Sequence, residues 1–325
     1  MPQFADFLEI LAIEGKDLFY KGEIAQKIAA DYTANGGFLQ LADFEEYEVI
    51  SRKPLSFYYK NRTVLTNPLP ATGGANLALF LKYLENEKLP KRPFSKEHAL
   101  ALFNAFTQLE NAKKSTLGLI GSLEKVLGRN LQNNSQNNPS KTGKRGATTH
   151  FGIVDNAGNA ISLTGSLGEG CGYFIDGTDI QLNNMLGEAA LLPNGFHSWI
   201  EDTRLSSMMS PTLVLDEQQK IEIIIGSGGA SRIPAAIGQV ISYLTDYQLN
   251  VETAVNGPRV HLEHNSFNID KEFLGDFTDE ELQVKVTKWQ EKSLFFGGVH
   301  TVLSDGKPLS AAGDNRRDGA AILGK

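Results

Sequence analysis

Ala147-Thr-Thr-His-Phe-Gly-Ile-Val-Asp-Asn-Ala-Gly-Asn-Ala-Ile-Ser-Leu-Thr-Gly-Ser-Leu167 is the stretch that decides the fold. Before it runs a polar segment, Asn130 to Gly146, with almost nothing to bury. After it the chain becomes an apolar strand pattern. The abrupt change at Thr-Thr-His marks a candidate cut site, with Thr148 as the new first residue. A threonine hydroxyl is a poor nucleophile at neutral pH and needs a base. A free α-amine titrates at about 7.7–8.0, so it is able to take that proton. An N-terminal Thr thus carries nucleophile and base in one residue. Its hydroxyl also has the reach to release itself, by attacking the Ala147 carbonyl in an acyl shift. The plain alternative is that two β-branched residues merely start a strand, and on this stretch alone that reading is favoured.

The rest of the chain narrows the choice. With 325 residues there is enough for one large domain or two smaller ones. A net charge of −7 argues against nucleic acid or an anionic membrane as partner. One cysteine, Cys171, excludes an intrachain disulfide and reads as a small packed residue. No apolar run is long enough to span a membrane. Met1 to Leu8 lacks the basic start and apolar stretch of a signal peptide.

Apolar periodicity predicts helices from Phe4 to Gly15, Glu23 to Tyr32, Ala42 to Tyr47, Gly74 to Leu84, Ser95 to Glu110 (with Leu100, Phe103 and Phe106 on one face), Leu117 to Leu127 and Ile233 to Tyr247. Leu55 to Thr66 reads as two strands around Lys60-Asn61. Thr148–Val154 and Ala160–Thr164 flank a hairpin turn at Asp155-Asn-Ala-Gly-Asn159. Thr212–Leu215 and Ile221–Ile225 form a second hairpin, and Gly297–Leu303, Leu309–Ala312 and Ala320–Leu323 are closing strands. Helices before, between and after two strand-rich regions predict an α+β sandwich. The expected division is 1–147, ending in a flexible linker over 129–147, and 148–325.

Gly226-Ser-Gly-Gly-Ala-Ser-Arg232 stands where a strand meets a helix, so its N–H groups can converge on an anion. The Lys-Ser/Thr ending of a phosphate loop is missing, which leaves an oxyanion hole or a turn that only packs. Ser206 and Ser207 are paired hydroxyls suited to a carboxylate, or to capping a turn. No Gly-x-Ser-x-Gly elbow is present. Glu188 closes Asn183-Asn-Met-Leu-Gly-Glu, as an ammonium partner or a solvated surface acid. The six histidines show no metal spacing, so no metal and no cofactor are expected.

Taken together, Thr148-Thr-His-Phe-Gly-Ile-Val-Asp155, Leu182-Asn-Asn184, Leu205-Ser-Ser-Met208 with Ser210-Pro-Thr212, Gly226 to Arg232 and Asn256-Gly-Pro-Arg259 resemble, in order, the gamma-glutamyltranspeptidases, and Asp17 to Gly22 and Pro68 to Gly74 resemble that family's large subunit. The resemblance implies an N-terminal-nucleophile hydrolase with an αββα sandwich, incomplete at its N-terminus, and self-cleavage before Thr148. It implies Thr148 as nucleophile and Thr164 and Ser166 as nearby hydroxyls, with Ser166 where threonine is usual. It places Glu188 on the substrate α-amine, Ser206 and Ser207 on the α-carboxylate, and the Gly229 and Ala230 N–H groups at the oxyanion. Asn184 and Met185 fall in the substrate-binding segment, Met185 where Gln or Glu is usual; Gly168 stands where asparagine is usual. These departures resemble the divergent branch that includes cephalosporin acylase relatives. The resemblance implies that the chain starts midway through the family's large subunit, which leaves two expectations, a truncated or split gene product or a partner chain supplying the earlier half, beside a small γ-glutamyl substrate. The family is typically exported, which leaves the compartment open here.

Overall fold

The computed structural model describes residues 1–114, 116–128, 147–188, 191–192, 195–304 and 308–324. The expected linker lies outside the described residues, apart from Ala147. In chain order the elements are α1 (Pro2–Glu14), α2 (Asp17–Tyr20), α3 (Glu23–Ala34), α4 (Leu41–Glu45), β1 (Leu55–Tyr59), β2 (Arg62–Thr66), α5 (Thr72–Glu85), α6 (Lys96–Ala112), α7 (Thr116–Leu127), β3 (Thr148–Val154) and β4 (Ala160–Ser166). There follow β5 (Phe174–Ile175), β6 (Ile180–Gln181), β7 (Thr212–Leu215), β8 (Ile221–Gly228), α8 (Ile233–Thr245), α9 (Val251–Asn256), β9 (Val260–Glu263), β10 (Ser266–Ile269), α10 (Asp279–Leu282), β11 (Lys285–Lys288), β12 (Gly298–Leu303) and β13 (Ser310–Gly313). The α+β expectation holds.

Two compact units result. One comprises Met1–Arg52 with Leu167–Met185. Phe7, Leu18, Ile24, Ile28 and Ile175 form its small core. Its segment 167–185 is tied by Asn184, whose N–H donates to Leu167 O at 3.1 Å and whose Oδ1 accepts from Glu169 N at 2.8 Å.

The other unit comprises Lys53–Ser166 with Leu186–Lys325. Its six-stranded antiparallel sheet has the order β1-β2-β7-β8-β12-β13, so it draws strands from both sides of residue 147. Helices α5 and α8 supply the main core with Leu77, Phe80, Ile237 and Ile241, all fully buried. Gly238 lets α8 meet α5, since a Cβ there would lie 2.5 Å from the Phe80 ring. Phe103 and Phe106 of α6 join this core, whereas Leu100 is 41% exposed, because α6 turns that position to solvent.

The β3–β4 hairpin forms a second β layer over β8. Asp155 fixes its turn: one carboxylate oxygen accepts from Ala157 N at 2.9 Å and Asn159 N at 2.8 Å. Ser162 stitches the layers, donating to Ile225 O at 3.1 Å and accepting from Thr212 N at 3.0 Å. The hairpin's outer face keeps Phe151 (45%), Ile153 (55%), Ile161 (55%) and Leu163 (45%) exposed. Thus α, β and β layers of the expected sandwich are built in this unit.

Two strand boundaries differ from expectation. Gly226 and Gly228 belong to β8, paired with His300 and Gly298 of β12, because glycine is needed there for close approach of the hairpin. Ala320–Leu323 is not a strand; β13 at the sheet edge ends at Gly313, and the chain turns away through a 3-10 turn at Asn315–Arg317.

A buried charge cluster ties the C-terminal segment to α9 and β12. Arg259 pairs with Asp314 at 2.7 Å, and Arg316 pairs with Asp270 at 2.7 Å and Asp314 at 3.3 Å, with all four side chains at most 1% exposed. Asp314 also accepts from Val299 N at 3.1 Å and Arg316 N at 2.9 Å. Such a cluster tolerates no missing member, because the remainder becomes an unpaired buried charge. Asp314→Asn is expected to cost about 3–5 kcal/mol, measured from the urea midpoint by tryptophan fluorescence. A loss below about 1 kcal/mol would contradict the pairing.

Candidate active site

Thr148 opens β3 with its side chain turned inward and only 8% exposed. Strand register puts it opposite Ser166, and the two hydroxyls lie 3.0 Å apart. Two residues along the same face, His150 is buried, with Nδ1 2.9 Å from the Thr164 hydroxyl. Burial, reinforced by the neighbouring His300, pushes the His150 pKa down to about 4, so its ring is neutral at pH 7. The ring lies flat on Gly226, where a Cβ would collide with it. Thr148, Thr164 and Ser166 therefore lie together on one face of the hairpin, the three hydroxyls that the resemblance brings into one neighbourhood.

The backbone of Thr148 is seated on Gly228. A Cβ on Gly228 would lie 2.5 Å from the Thr148 carbonyl oxygen. Gly229 follows at φ 134°, where a side chain would meet Gly297 Cα at 2.8 Å. Ala230 has φ 52°, a left-handed conformation that costs a non-glycine residue about 1 kcal/mol or more. The turn is pinned on its far side. Ser231 donates to Glu263 at 3.0 Å, and Arg232 Nε donates to Phe295 O at 3.1 Å. Thr148 and the Gly229–Ala230 turn thus share one end of β8, a buried hydroxyl beside a strained backbone turn at a strand–helix junction.

Ser206 and Ser207 precede β7. Because β7 runs antiparallel to β8, with Thr212 opposite Ile225, the segment before β7 emerges at the same sheet end as the Gly229 turn. The start of α5 holds it. Ser206 Oγ donates to Pro70 O at 3.1 Å and lies 3.1 Å from the Thr72 hydroxyl; Gly73 N donates to Ser207 O at 3.0 Å. Side chains at Gly73 or Gly74 would strike Met208 O or Asn67 O, which explains the paired glycines in that motif. Glu188 is half-buried in the same unit, its carbonyl accepting from Leu191 N at 2.9 Å. Asn184 and Met185 belong to the smaller unit.

Sequence reasoning missed Arg317. Its Nη1 donates to the Thr148 carbonyl at 3.4 Å, across 169 residues of chain. The available signal was the charged run Asp314-Asn-Arg-Arg-Asp-Gly319. His150 was read only as part of a motif.

The gamma-glutamyltranspeptidase family model matches residues 1–324. The chain is 30% identical over 289 residues to a glutathione hydrolase proenzyme of Escherichia coli, covering 79% of this chain and 50% of that relative. It is 27% identical over 365 residues to one of Pseudomonas aeruginosa, covering 100% of this chain and 64% of that relative. Among solved structures, a cephalosporin acylase from Bacillus halodurans superposes with a TM-score of 0.76 at 22% identity, covering 99% of this chain and 63% of that one, a likeness of fold. The chain thus spans about half to two-thirds of the curated relatives it matches. A family match across the length of the chain, on a fold shared with an acylase, establishes that this protein belongs to the gamma-glutamyltranspeptidase family.

Proposed function

We propose that this chain cleaves itself between Ala147 and Thr148 and then hydrolyses or transfers γ-glutamyl groups, from glutathione or a related amide, through a Thr148 acyl-enzyme. The observation that carries the reading is the seating of Thr148: its hydroxyl faces Ser166 at 3.0 Å and its carbonyl abuts Gly228, one residue before the Gly229–Ala230 turn. In self-processing, Thr148 Oγ1 attacks the Ala147 carbonyl; the C–N bond breaks as the ester to Oγ1 forms, freeing the Thr148 amine, and water hydrolyses that ester to release residues 1–147 with a new carboxylate. In turnover that amine takes the hydroxyl proton as Oγ1 attacks the γ-glutamyl carbonyl. Negative charge passes to the Gly229 and Ala230 N–H groups. The proton goes to the leaving amine, and water or an amino acid resolves the ester. Glu188 takes the substrate α-ammonium, and Ser206 and Ser207 the α-carboxylate. The expected subunits, 1–147 and 148–325, would share the six-stranded sheet.

Met185 and Gly168, in place of the usual polar contacts, favour a second reading as an acylase for a different amide. Relatives include an acylase proenzyme of a Pseudomonas strain, 23% identical over 98% of this chain. A third reading is a non-catalytic remnant or a partner subunit, without turnover on its own. Its support is the exposed Phe151, Ile153, Ile161 and Leu163 face, together with the part of the relatives that this chain does not match.

Intact-mass analysis after incubation is expected to show two fragments, breaking before Thr148, in wild type and none in Thr148→Ala. A wild-type chain that stays whole overturns self-processing. With a chromogenic γ-glutamyl anilide, Ser166→Ala is expected to lower kcat/KM by about tenfold, one hydrogen bond's worth. Turnover of another amide with none of the anilide would select the acylase reading. Turnover only after co-purification with a second chain would select the third.

A further inference from the structure

Arg317 lies outside every motif that the proposed chemistry uses, yet it touches the nucleophile's own main chain. Its Nη1 donates to Thr148 O at 3.4 Å. A Cβ on Gly228 would sit 3.2 Å from the same nitrogen, and one on Gly298 would collide with the arginine stem. Two glycines therefore wall the guanidinium against residue 148. Its placement is enforced from behind: Asp314 caps the 3-10 turn through Arg316 N at 2.9 Å and is itself locked in the buried Arg259–Asp314–Arg316–Asp270 cluster.

Within one residue the amide nitrogen and carbonyl oxygen are roughly 3 Å apart, so Nη1 lies no more than about 6–7 Å from Thr148 N. We propose that Arg317 is a positioning residue that also sets the basicity of the Thr148 amine: its fixed positive charge disfavours the ammonium form and keeps the amine ready to accept the hydroxyl proton. This rests on the self-processing reading above. A like charge at this range lowers an amine's proton affinity, whereas a neutral donor would only hold the carbonyl.

The other groups around Thr148 leave this role to Arg317. His150 on β3 and His300 on β12 are both shifted toward the neutral form, mainly by burial. From β4 come hydroxyls only, Thr164 and Ser166. Asp314 is paired with Arg259 and Arg316, and its charge also acts on Arg317, whose charged form burial otherwise disfavours. In the cluster Arg259 and Arg316 balance Asp314 and Asp270, which leaves the Arg317 charge in excess. Arg232, past the Gly229 turn, is engaged by Phe295 O and lies 3.8 Å from Glu263.

The sign follows directly. The amine works unprotonated, so kcat/KM rises with pH through its pKa, and a cation places that rise at lower pH. Arg317→Gln is expected to move the acid limb of kcat/KM up by about one pH unit, a roughly tenfold loss at pH values below the limb. Arg317→Lys keeps the charge and is expected to keep the limb, even where lost geometry lowers kcat. The second readout is the pH dependence of Thr148 amine labelling by an amine-reactive reagent, followed by mass spectrometry on the cleaved protein; it needs no substrate. Its midpoint is expected below the ordinary terminal-amine range of about 7.7–8.0 in wild type and Arg317→Lys, and higher in Arg317→Gln. An unmoved limb or labelling midpoint in Arg317→Gln overturns the proposal, as does an Arg317→Lys midpoint at the ordinary value if the Gln variant fails to mature. A wild type that never cuts before Thr148 overturns the underlying reading instead, so the two failures are distinct.

Discussion

The missing side chains of three glycines hold this site together. Gly152, Gly226 and Gly228 let the β3–β4 hairpin lie directly on β8, with an isoleucine methyl, a histidine ring and a carbonyl where Cβ atoms would otherwise stand. At Gly152 a Cβ would come within 2.7 Å of Ile224 Cγ2. The sheets could not approach at the distance normal for two full side-chain layers without lifting Thr148 away from the Gly229 turn. Everything catalytic that is proposed depends on that close approach, because it places the start of one strand beside the end of another.

Around this contact the fold spends stability on rigidity. Ala230 is held left-handed, Ser231 and Arg232 are anchored to neighbouring elements, and the buried Arg–Asp cluster fixes the chain that carries Arg317. Backbone strain persists only where surrounding structure over-determines it, as it does at this strand–helix junction beside a buried hydroxyl. The same close packing explains Pro68 to Gly74: Gly73 abuts the Met208 carbonyl and its N–H holds Ser207 O, while Pro70 O accepts from the Ser206 hydroxyl, so this segment is fixed at the sheet end that carries the Gly229 turn.

Local chemistry made much of this legible in the sequence. The hairpin at Asp155–Asn159, the helix starting at Ser95, the apolar α8 and the paired hydroxyls announced themselves through period and turn residues. What could not be read was set by long-range geometry. Gly226 to Gly228 looked like loop because glycine is rare in strands, and only the hairpin lying above makes glycine the residue a strand needs there. Arg317 drew no reading at all, since its contact with residue 148 spans 169 residues of chain. Leu100 fitted the helical stripe but faces water, and Ala320–Leu323 had strand composition without a neighbour to pair with.

The central claim is that residue 148 itself carries the acyl group. Peptide mapping of protein quenched during turnover of a γ-glutamyl amide tests it most directly. A γ-glutamyl mass increment on the peptide that begins at Thr148, lost in Thr148→Ala, is the predicted result. An increment on Ser166, Ser206 or Ser207 instead, or turnover that survives Thr148→Ala, would contradict it.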